Sequence, residues 1–194
     1  KEERLLSYAT HLPEEEDLNE KTISTSIQMK KEYEPIFLSH SMENKWREDL
    51  IYKKYNKSSV KLFEESGLLN KKTILFHGTK LGPDDISILK KKGVNLDHCP
   101  ESNLSSGAGI APIVECLRKD INVCLGTDWA NTKYWETMRL TYNLLKIKSD
   151  KKEYSAETVF KMATTNGASA MSAVEKSGTI EEGSYADLTF IDIS

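Results

Sequence analysis

Long hydrophobic runs are missing from this sequence of 194 residues. No apolar stretch approaches the ~20 residues that a membrane-spanning helix requires, so the sequence predicts no membrane partner. An excess of one charge is also missing, because 27 basic and 30 acidic side chains leave a formal net charge of −3. The lysines are dispersed, and nothing in the charge pattern favours a nucleic-acid partner.

Cysteine is scarce, and its pattern excludes a disulfide framework. The three cysteines, Cys99, Cys116 and Cys124, are odd in number and lack CxxC spacing, which predicts reduced thiols and a cytoplasmic protein. No segment resembles a signal peptide. The sequence opens at Lys1 instead of a methionine and stops at Ser194 inside a strand-like run. We therefore expect a piece of a longer protein.

What the sequence does contain is a series of short apolar runs that end on polar residues. The runs near residues 36–39, 73–77, 94–97 and 121–126 have strand length and composition. They deliver, in order, His40, His77, His98 and Asp128. The carboxyl ends of parallel strands form one edge of a sheet, and ligands bind there. We therefore expect these four strands to be neighbours with their polar ends together.

Helical sequence separates the runs, which favours parallel strands joined by right-handed crossovers. The pattern fits half of an eight-stranded barrel or most of an open doubly wound sheet, and periodicity alone does not separate the two. A glycine-rich phosphate loop is absent, which weakens a dinucleotide-binding version.

Several local features predict where helices begin and end. Asp17 with Glu20 predicts a capping box for a helix that runs to about Lys31. Residues 101–109 predict a loop, and residues 156–171 a helix with a break at Asn166–Gly167. A hairpin of a separate β element is predicted beyond Gly178.

The polar strand ends carry a plausible set of metal ligands. His40 and Asp128 have the donor atoms that zinc prefers, and Glu43 follows His40 by three residues. His77 could hold a water molecule that zinc activates, since zinc brings the pKa of bound water to ~7. Each residue alone also has an ordinary structural explanation, such as a helix cap at Asp128 or a hydrogen-bonded loop histidine at His98. Only their joint placement favours a site.

The motifs resemble those of the amidohydrolase superfamily. The segments that carry the resemblance are His-Gly-Thr-Lys-Leu at 77–81, His-Cys-Pro-Glu-Ser-Asn-Leu at 98–104, Gly-Ile-Ala-Pro at 109–112 and Leu-Gly-Thr-Asp at 125–128. Residues 40–43 are similar to a His-x-x-Glu motif of the branch that contains methylthioadenosine/S-adenosylhomocysteine deaminase, guanine deaminase and triazine hydrolases. Residues 178–188 resemble the return of such chains into a flanking β-sandwich.

This resemblance implies an α/β fold, the C-terminal half of a (β/α)8 TIM-type barrel with the start of a flanking β-sandwich element. Residues 1–172 would form the half-barrel, and residues 173–194 would return into the small β domain. The implied cofactor is one divalent metal, zinc or alternatively iron. The implied activity is hydrolytic deamination of an aromatic N-heterocycle, such as a purine or an adenosine-type nucleoside.

The resemblance also assigns residue roles. It makes His40 and Asp128 metal ligands, with Asp128 also taking the proton of the attacking water. It makes Glu43 the acid that protonates a ring nitrogen and His77 the residue that steadies the water. Contacts with the heterocyclic substrate fall to the remaining candidates, which are His11, His98, Asn103 and Trp129.

One departure from the family pattern is plain. The family's other two ligands lie in an His-x-His motif, and no His-x-His occurs in these residues. We therefore expect the missing N-terminal half to come from a longer chain or from a partner, with a homo-oligomer as a further possibility. The alternative function is a non-catalytic half-barrel that acts only in assembly. An upstream His-x-His in the full-length gene would discriminate between the two.

Overall fold

A single five-stranded sheet organises the computed structural model, which describes residues 8–130, 132–150, 152–171 and 177–191. All neighbouring strands are parallel and follow one another in chain order. The predicted adjacency of the four strands is therefore confirmed. A doubly wound sheet reverses its strand order at a switch point, and the described strands show no such reversal. The strands are β1 Ala9–His11, β2 Ile36–Ser41, β3 Thr73–His77, β4 Asn95–His98 and β5 Val123–Leu125.

Helices connect the successive strands. Their sequence shows the expected start and stop signals, as in the helix that has Pro83 in its first turn and Gly93 in a left-handed conformation after its end. A short 3₁₀ turn, Glu15–Asp17, precedes the first helix. The helices are α1 Glu20–Tyr33, α2 Lys45–Tyr55, α3 Ser59–Glu65, α4 Pro83–Lys92, α5 Pro100–Ser105, α6 Ile113–Arg118, α7 Tyr134–Lys148, α8 Ala156–Ala163 and α9 Thr165–Ala170.

The two faces of the sheet carry different apolar clusters, because successive side chains of a strand alternate between faces. The outer face packs against the helices and contributes Phe37, Leu75, Leu96 and Val123 to the main core. The inner face has a small cluster of its own, made by Ile36, Ile74, Cys124 and Ala170 with Leu38 and Phe76 against it. Side chains that point inward from the carboxyl ends of the strands therefore lie above this small cluster.

The predicted start of α1 is wrong by two residues. Asn19 caps the helix: its side chain accepts a hydrogen bond from the Thr22 amide at 3.1 Å, and the Thr22 hydroxyl accepts one from the Asn19 amide at 3.0 Å. Asp17 instead ends the 3₁₀ turn Glu15–Asp17. The acidic residues before Asp17 contact the segment after β2 instead of continuing the helix. Local sequence does not encode these contacts.

Two further boundaries differ from the prediction. The predicted loop 101–109 begins with helix α5, because Pro100 sits in its first turn and the Asn103 amide donates to the Cys99 carbonyl at 3.0 Å. The last helix breaks at Thr164, whose φ of −131° and ψ of −90° are not helical. Asn166 continues in α9, since its side chain donates to the Val123 carbonyl at 2.9 Å.

The predicted hairpin beyond Gly178 is not formed, because residues 177–191 contain no strand. A strand requires a hydrogen-bonding partner, and Ile180 and Phe190 are exposed here. The predicted start of this β element at 173 lies outside the described residues. None of the described helices is long and apolar enough to cross a membrane. Cys99, Cys116 and Cys124 are free and buried.

We expect Asn19→Ala to lower the free energy of unfolding by about 1 kcal/mol, because it removes the cap of α1. Asp17→Ala, at the residue that the local sequence pattern favours, is the matched control and should change it by less than about 0.5 kcal/mol. Urea denaturation of both variants measures the difference. A larger cost for Asp17→Ala than for Asn19→Ala would contradict the observed cap.

Candidate active site

The four histidines of the sequence lie at the carboxyl ends of the first four strands. The rings of His11 and His40 have centroids 5.4 Å apart, and those of His40 and His77 are 5.1 Å apart. Phe76 packs beneath this group, with its ring 5.8 Å from His11 and 5.3 Å from His40. The structure therefore brings three imidazoles from neighbouring strands together over the inner face.

His98 does not join this group. It pairs in register with Leu125, whose side chain belongs to the outer core, so His98 faces the helices. Its side chain is fully buried, and neither ring nitrogen has a hydrogen-bond partner among the described residues. Burial lowers the pKa of His98 to about 3, which keeps the ring neutral. In this conformation His98 offers no surface to a substrate.

His77 reaches the inner side through an unusual backbone conformation. Its φ is +70°, in the left-handed region that few residues other than glycine adopt. Its Nδ1 lies 2.8 Å from the Oδ1 of Asn103, in helix α5. Because an amide oxygen can only accept, Nδ1 carries a proton, and in the neutral ring Nε2 therefore keeps a free lone pair. Asn103 is itself buried behind His77, and its predicted contact with a substrate stays a prediction.

Asp128 is held in a similar way. Its φ is +52°, and its Oδ2 accepts a hydrogen bond from the hydroxyl of Ser102, the neighbour of Asn103 in α5. Asp128 does not cap the next helix, since α7 begins only at Tyr134. Helix α5 therefore fixes two of the candidate side chains through adjacent residues. Sequence reasoning missed Ser102, whose only signal is its place in the 98–104 motif.

Asp97 is a second carboxylate on the inner face, and it lies below the candidate site. Its Oδ2 is 3.6 Å from the Cys99 thiol, and its Oδ1 is 3.6 Å from the Cys124 thiol. Burial raises the pKa of this carboxyl. A β-carbon built on Gly126 would lie 2.4 Å from Asp97 Oδ2. Gly126 is thus required for space, two residues before Asp128.

Glu43 follows β2 and is paired with Arg47, one turn into α2. The Arg47 guanidinium also contacts two carboxylates of the acidic segment after β1, Glu14 at 2.9 Å and Glu16 at 2.8 Å. Glu14 additionally lies 3.3 Å from His40 Nδ1. Sequence reasoning missed these three partners. Arg47 is an i,i+4 neighbour of Glu43, whereas Glu14 and Glu16 come from a segment about 30 residues away that no local pattern links to it.

The residues present supply part of a metal site. Burial lowers the pKa of His40 to about 4, so its imidazole is neutral and able to coordinate. Its Nδ1 is buried and, although it lies 3.3 Å from Glu14, it makes no hydrogen bond within the described part of the chain. The described residues nevertheless contain no group of three or more His, Cys, Asp or Glu side chains that could hold a metal ion. His40 and Asp128 are therefore donors of the right kind in an incomplete set.

The two remaining candidates for substrate contact differ in position. His11 is exposed at the end of β1, beside His40. Trp129 follows Asp128 and is 70% exposed, so it is not a core residue of the described fold. Both stay predictions.

The chain belongs to the amidohydrolase family, whose model matches residues 10–193. It is 38% identical over 168 residues to the 5-methylthioadenosine/S-adenosylhomocysteine deaminase of Pyrococcus abyssi. The matched region covers 84% of this chain and 39% of that protein. It is 32% identical over 160 residues to the 5'-deoxyadenosine deaminase of Methanosphaera stadtmanae, covering 80% and 37%. The chain thus spans about two fifths of the length of these curated relatives.

Solved structures of other enzymes share the fold. An adenosine deaminase from Xanthomonas campestris with bound zinc superposes with a TM-score of 0.86 and 25% identity, over 93% of this chain and 42% of that chain. The guanine deaminase from C. acetobutylicum with bound guanine gives a TM-score of 0.77 and 27% identity, over 86% and 42%. The predicted family is therefore confirmed.

We expect Gly126→Ala to destabilise the chain by about 1–3 kcal/mol, because the added methyl group overlaps the Asp97 carboxylate. Gly167→Ala is the matched control, since a β-carbon there meets no atom within 4 Å and the residue lies in α9. The control should be neutral or stabilising by about 0.5–1 kcal/mol. Chemical denaturation measures both, and the cost of Gly126→Ala should shrink in an Asp97→Ala background. Equal effects of the two glycine substitutions would contradict the steric explanation.

Proposed function

We propose that this chain is the C-terminal half of a (β/α)8 barrel enzyme that hydrolytically removes an amino group from an aromatic N-heterocycle. The observation that carries the proposal is the convergence of His11, His40 and His77 over the inner face of a sequentially ordered parallel sheet. Membership of the amidohydrolase family supports the reaction class. Its curated relatives are named as deaminases of adenosine-type compounds, which favours a substrate of that class.

In this proposal His40 and Asp128 are two ligands of one divalent metal, zinc or alternatively iron. A metal held there would act as a Lewis acid and make a water molecule nucleophilic at neutral pH. The zinc reported for the Xanthomonas adenosine deaminase supports a metal of this kind. The other ligands would come from the N-terminal half, because the described residues lack a third one suitably placed.

The chain's own residues would move the protons. Asp128 accepts a proton from the attacking water, while the free Nε2 of His77 holds that water against the ring carbon. Glu43 donates a proton to the neighbouring ring nitrogen as the carbon–oxygen bond forms. Asp128 then passes the proton taken from the water to the amino group, the carbon–nitrogen bond breaks with release of ammonia, and the remaining hydroxyl proton returns to Glu43 as the ring carbonyl forms. Ring contacts fall to His11 and Trp129 on the exposed side, and contacts from His98 and Asn103 would require their buried side chains to be uncovered on binding.

The remaining proposals concern assembly. Residues 173–194 would return into a small flanking β domain, which gives the exposed Ile180 and Phe190 a partner. The N-terminal strands would pair with the free edges β1 and β5 of the described sheet, from the same longer chain or from a partner subunit. A homo-oligomer would pair the same two edge strands with strands of another copy.

We expect the full-length protein to deaminate 5'-methylthioadenosine, S-adenosylhomocysteine or guanine. Glu43→Gln should reduce kcat by about 10²–10⁴-fold with the metal retained, because it removes a proton carrier. His40→Ala and Asp128→Ala should lose both metal and turnover. Ultraviolet absorbance of the purine and elemental analysis measure the two properties. Normal turnover by Glu43→Gln would refute its role, and no turnover of any heterocycle would favour a non-catalytic assembly fragment.

We expect residues 1–194 alone to bind zinc weakly and to be inactive, because a catalytic zinc site has three protein ligands as a rule. The open sheet edges and the inner apolar face should make this fragment oligomeric or prone to aggregation. Size-exclusion chromatography and zinc titration test both expectations. A monodisperse monomer with tightly bound zinc and deaminase activity would overturn them.

A further inference from the structure

The acidic segment between β1 and α1 packs against the loop that carries the proposed proton donor. Glu15 is 1% exposed, and its Oε1 accepts a hydrogen bond of 2.9 Å from the Met42 amide. Met42 has a left-handed φ of +53°, which that hydrogen bond helps to hold. The Met42 carbonyl accepts from the Lys80 amide at 2.9 Å, and the Glu43 carbonyl accepts from the Thr79 hydroxyl. The backbone of Glu43 is thus fixed from both neighbouring strands.

Arg47 fixes the side chain of Glu43 in addition. Its side chain is 13% exposed, and its guanidinium contacts three carboxylates. Glu16 contacts it at two points: Nη2 donates a hydrogen bond to Oε1 at 2.9 Å, and Nε lies 2.8 Å from Oε2 as an ion pair without hydrogen-bond geometry. Nη1 is shared between Glu14 and Glu43. The segment after β1 therefore anchors Arg47, and Arg47 in turn holds Glu43.

The contact with Arg47 makes the two oxygens of the Glu43 carboxylate inequivalent. Oε2 is occupied by Arg47. Within the described residues, Oε1 accepts no hydrogen bond from the protein, so it is the oxygen able to exchange a proton with a bound ring. A carboxylate held at one oxygen cannot rotate freely, and misplacement of a catalytic group by about 1 Å can cost ~10²-fold in rate.

We propose that Arg47 is a positioning residue, anchored by Glu14 and Glu16, that holds Glu43 with Oε1 directed at the substrate. This inference rests on the proposed function, in which Glu43 carries a proton. The planar guanidinium is essential to it, because one fork must satisfy three carboxylates from two segments, which a lysine ammonium does not reproduce. A purely structural role would instead make Arg47 a clamp between the β1 segment and α2.

The test is a double-mutant cycle in the full-length enzyme. Arg47→Gln should reduce kcat by about 10- to 100-fold, with KM changed less than about 3-fold and metal content unchanged. In a Glu43→Gln background the same substitution should cost less than about 3-fold, since residues that act through one another are not additive. Arg47→Lys keeps the positive charge but loses the planar guanidinium. It should remain folded, with a kcat between those of the wild type and Arg47→Gln.

Arg118 provides the matched control. It makes an equally short two-point contact with Glu153, with both distances 2.7 Å, on α6 and away from the candidate site. Arg118→Gln should leave kcat unchanged. The unfolding midpoint of each variant should also be measured. A variant that loses kcat but keeps its midpoint has lost positioning of Glu43 and not stability.

The outcomes divide as follows. The inference is overturned if Arg47→Gln or Arg47→Lys retains full kcat. It is also overturned if Arg47→Gln lowers kcat by the same factor in the wild-type and Glu43→Gln backgrounds. If the wild-type protein turns over no heterocycle, the proposed function fails by itself, and crystal structures then decide about Arg47. Displacement of the Glu43 carboxylate in Arg47→Gln but not in Arg118→Gln supports the positioning role, and an unmoved carboxylate overturns it.

Discussion

The parallel register of the sheet is the constraint on which the rest of this molecule depends. Parallel pairing sends every carboxyl end to one edge, so residues from separate crossovers meet there. Registered partners also face the same way, which aligns His40, Phe76, Asp97 and Cys124 across four strands. The imidazole group, the buried carboxylate beneath it and the apolar floor all follow from that alignment.

Regular strands alone would not complete the site. Met42, His77 and Asp128 have positive φ values, a conformation that costs of order 1–3 kcal/mol where a non-glycine residue is strained by it. Each takes part in a hydrogen bond that helps to hold it: the Met42 amide donates to Glu15, the His77 ring donates to Asn103, and the Asp128 carboxylate accepts from Ser102. At His77 and Asp128 the positive φ occurs at or just after the end of a strand, where a polar side chain turns toward the inner face, whereas Met42 keeps its side chain in the main core. The positive φ values thus cost local stability and also set the geometry of the candidate site.

Much of the framework could be predicted from the sequence, because strand length, composition and polar ends are local properties. The strand 73–77 was predicted at its observed bounds, and the others within about two residues. Failures occurred where distant groups compete with local propensity. Glu15 and Glu16 look like the approach to a helix, yet they bind Met42 and Arg47. After the break at Thr164 the Asn166 side chain donates to β5, and residues 177–191 have no strand partner in the described part of the chain.

The sequence by itself determined the class of fold, the order of the strands and the family, since apolar periodicity and the spacing of the motifs record these directly. Only the tertiary structure decided which polar residues face inward. His77 turns to the inner side through its backbone, whereas His98, at the same end of the next strand, stays against the helices. It also decided what anchors Arg47 beside Glu43: the Glu43–Arg47 pair is an i,i+4 contact, but Glu14 and Glu16 reach Arg47 from another segment. The physical reason is that backbone handedness and ion pairs between segments 30 residues apart depend on packing, which no local pattern specifies.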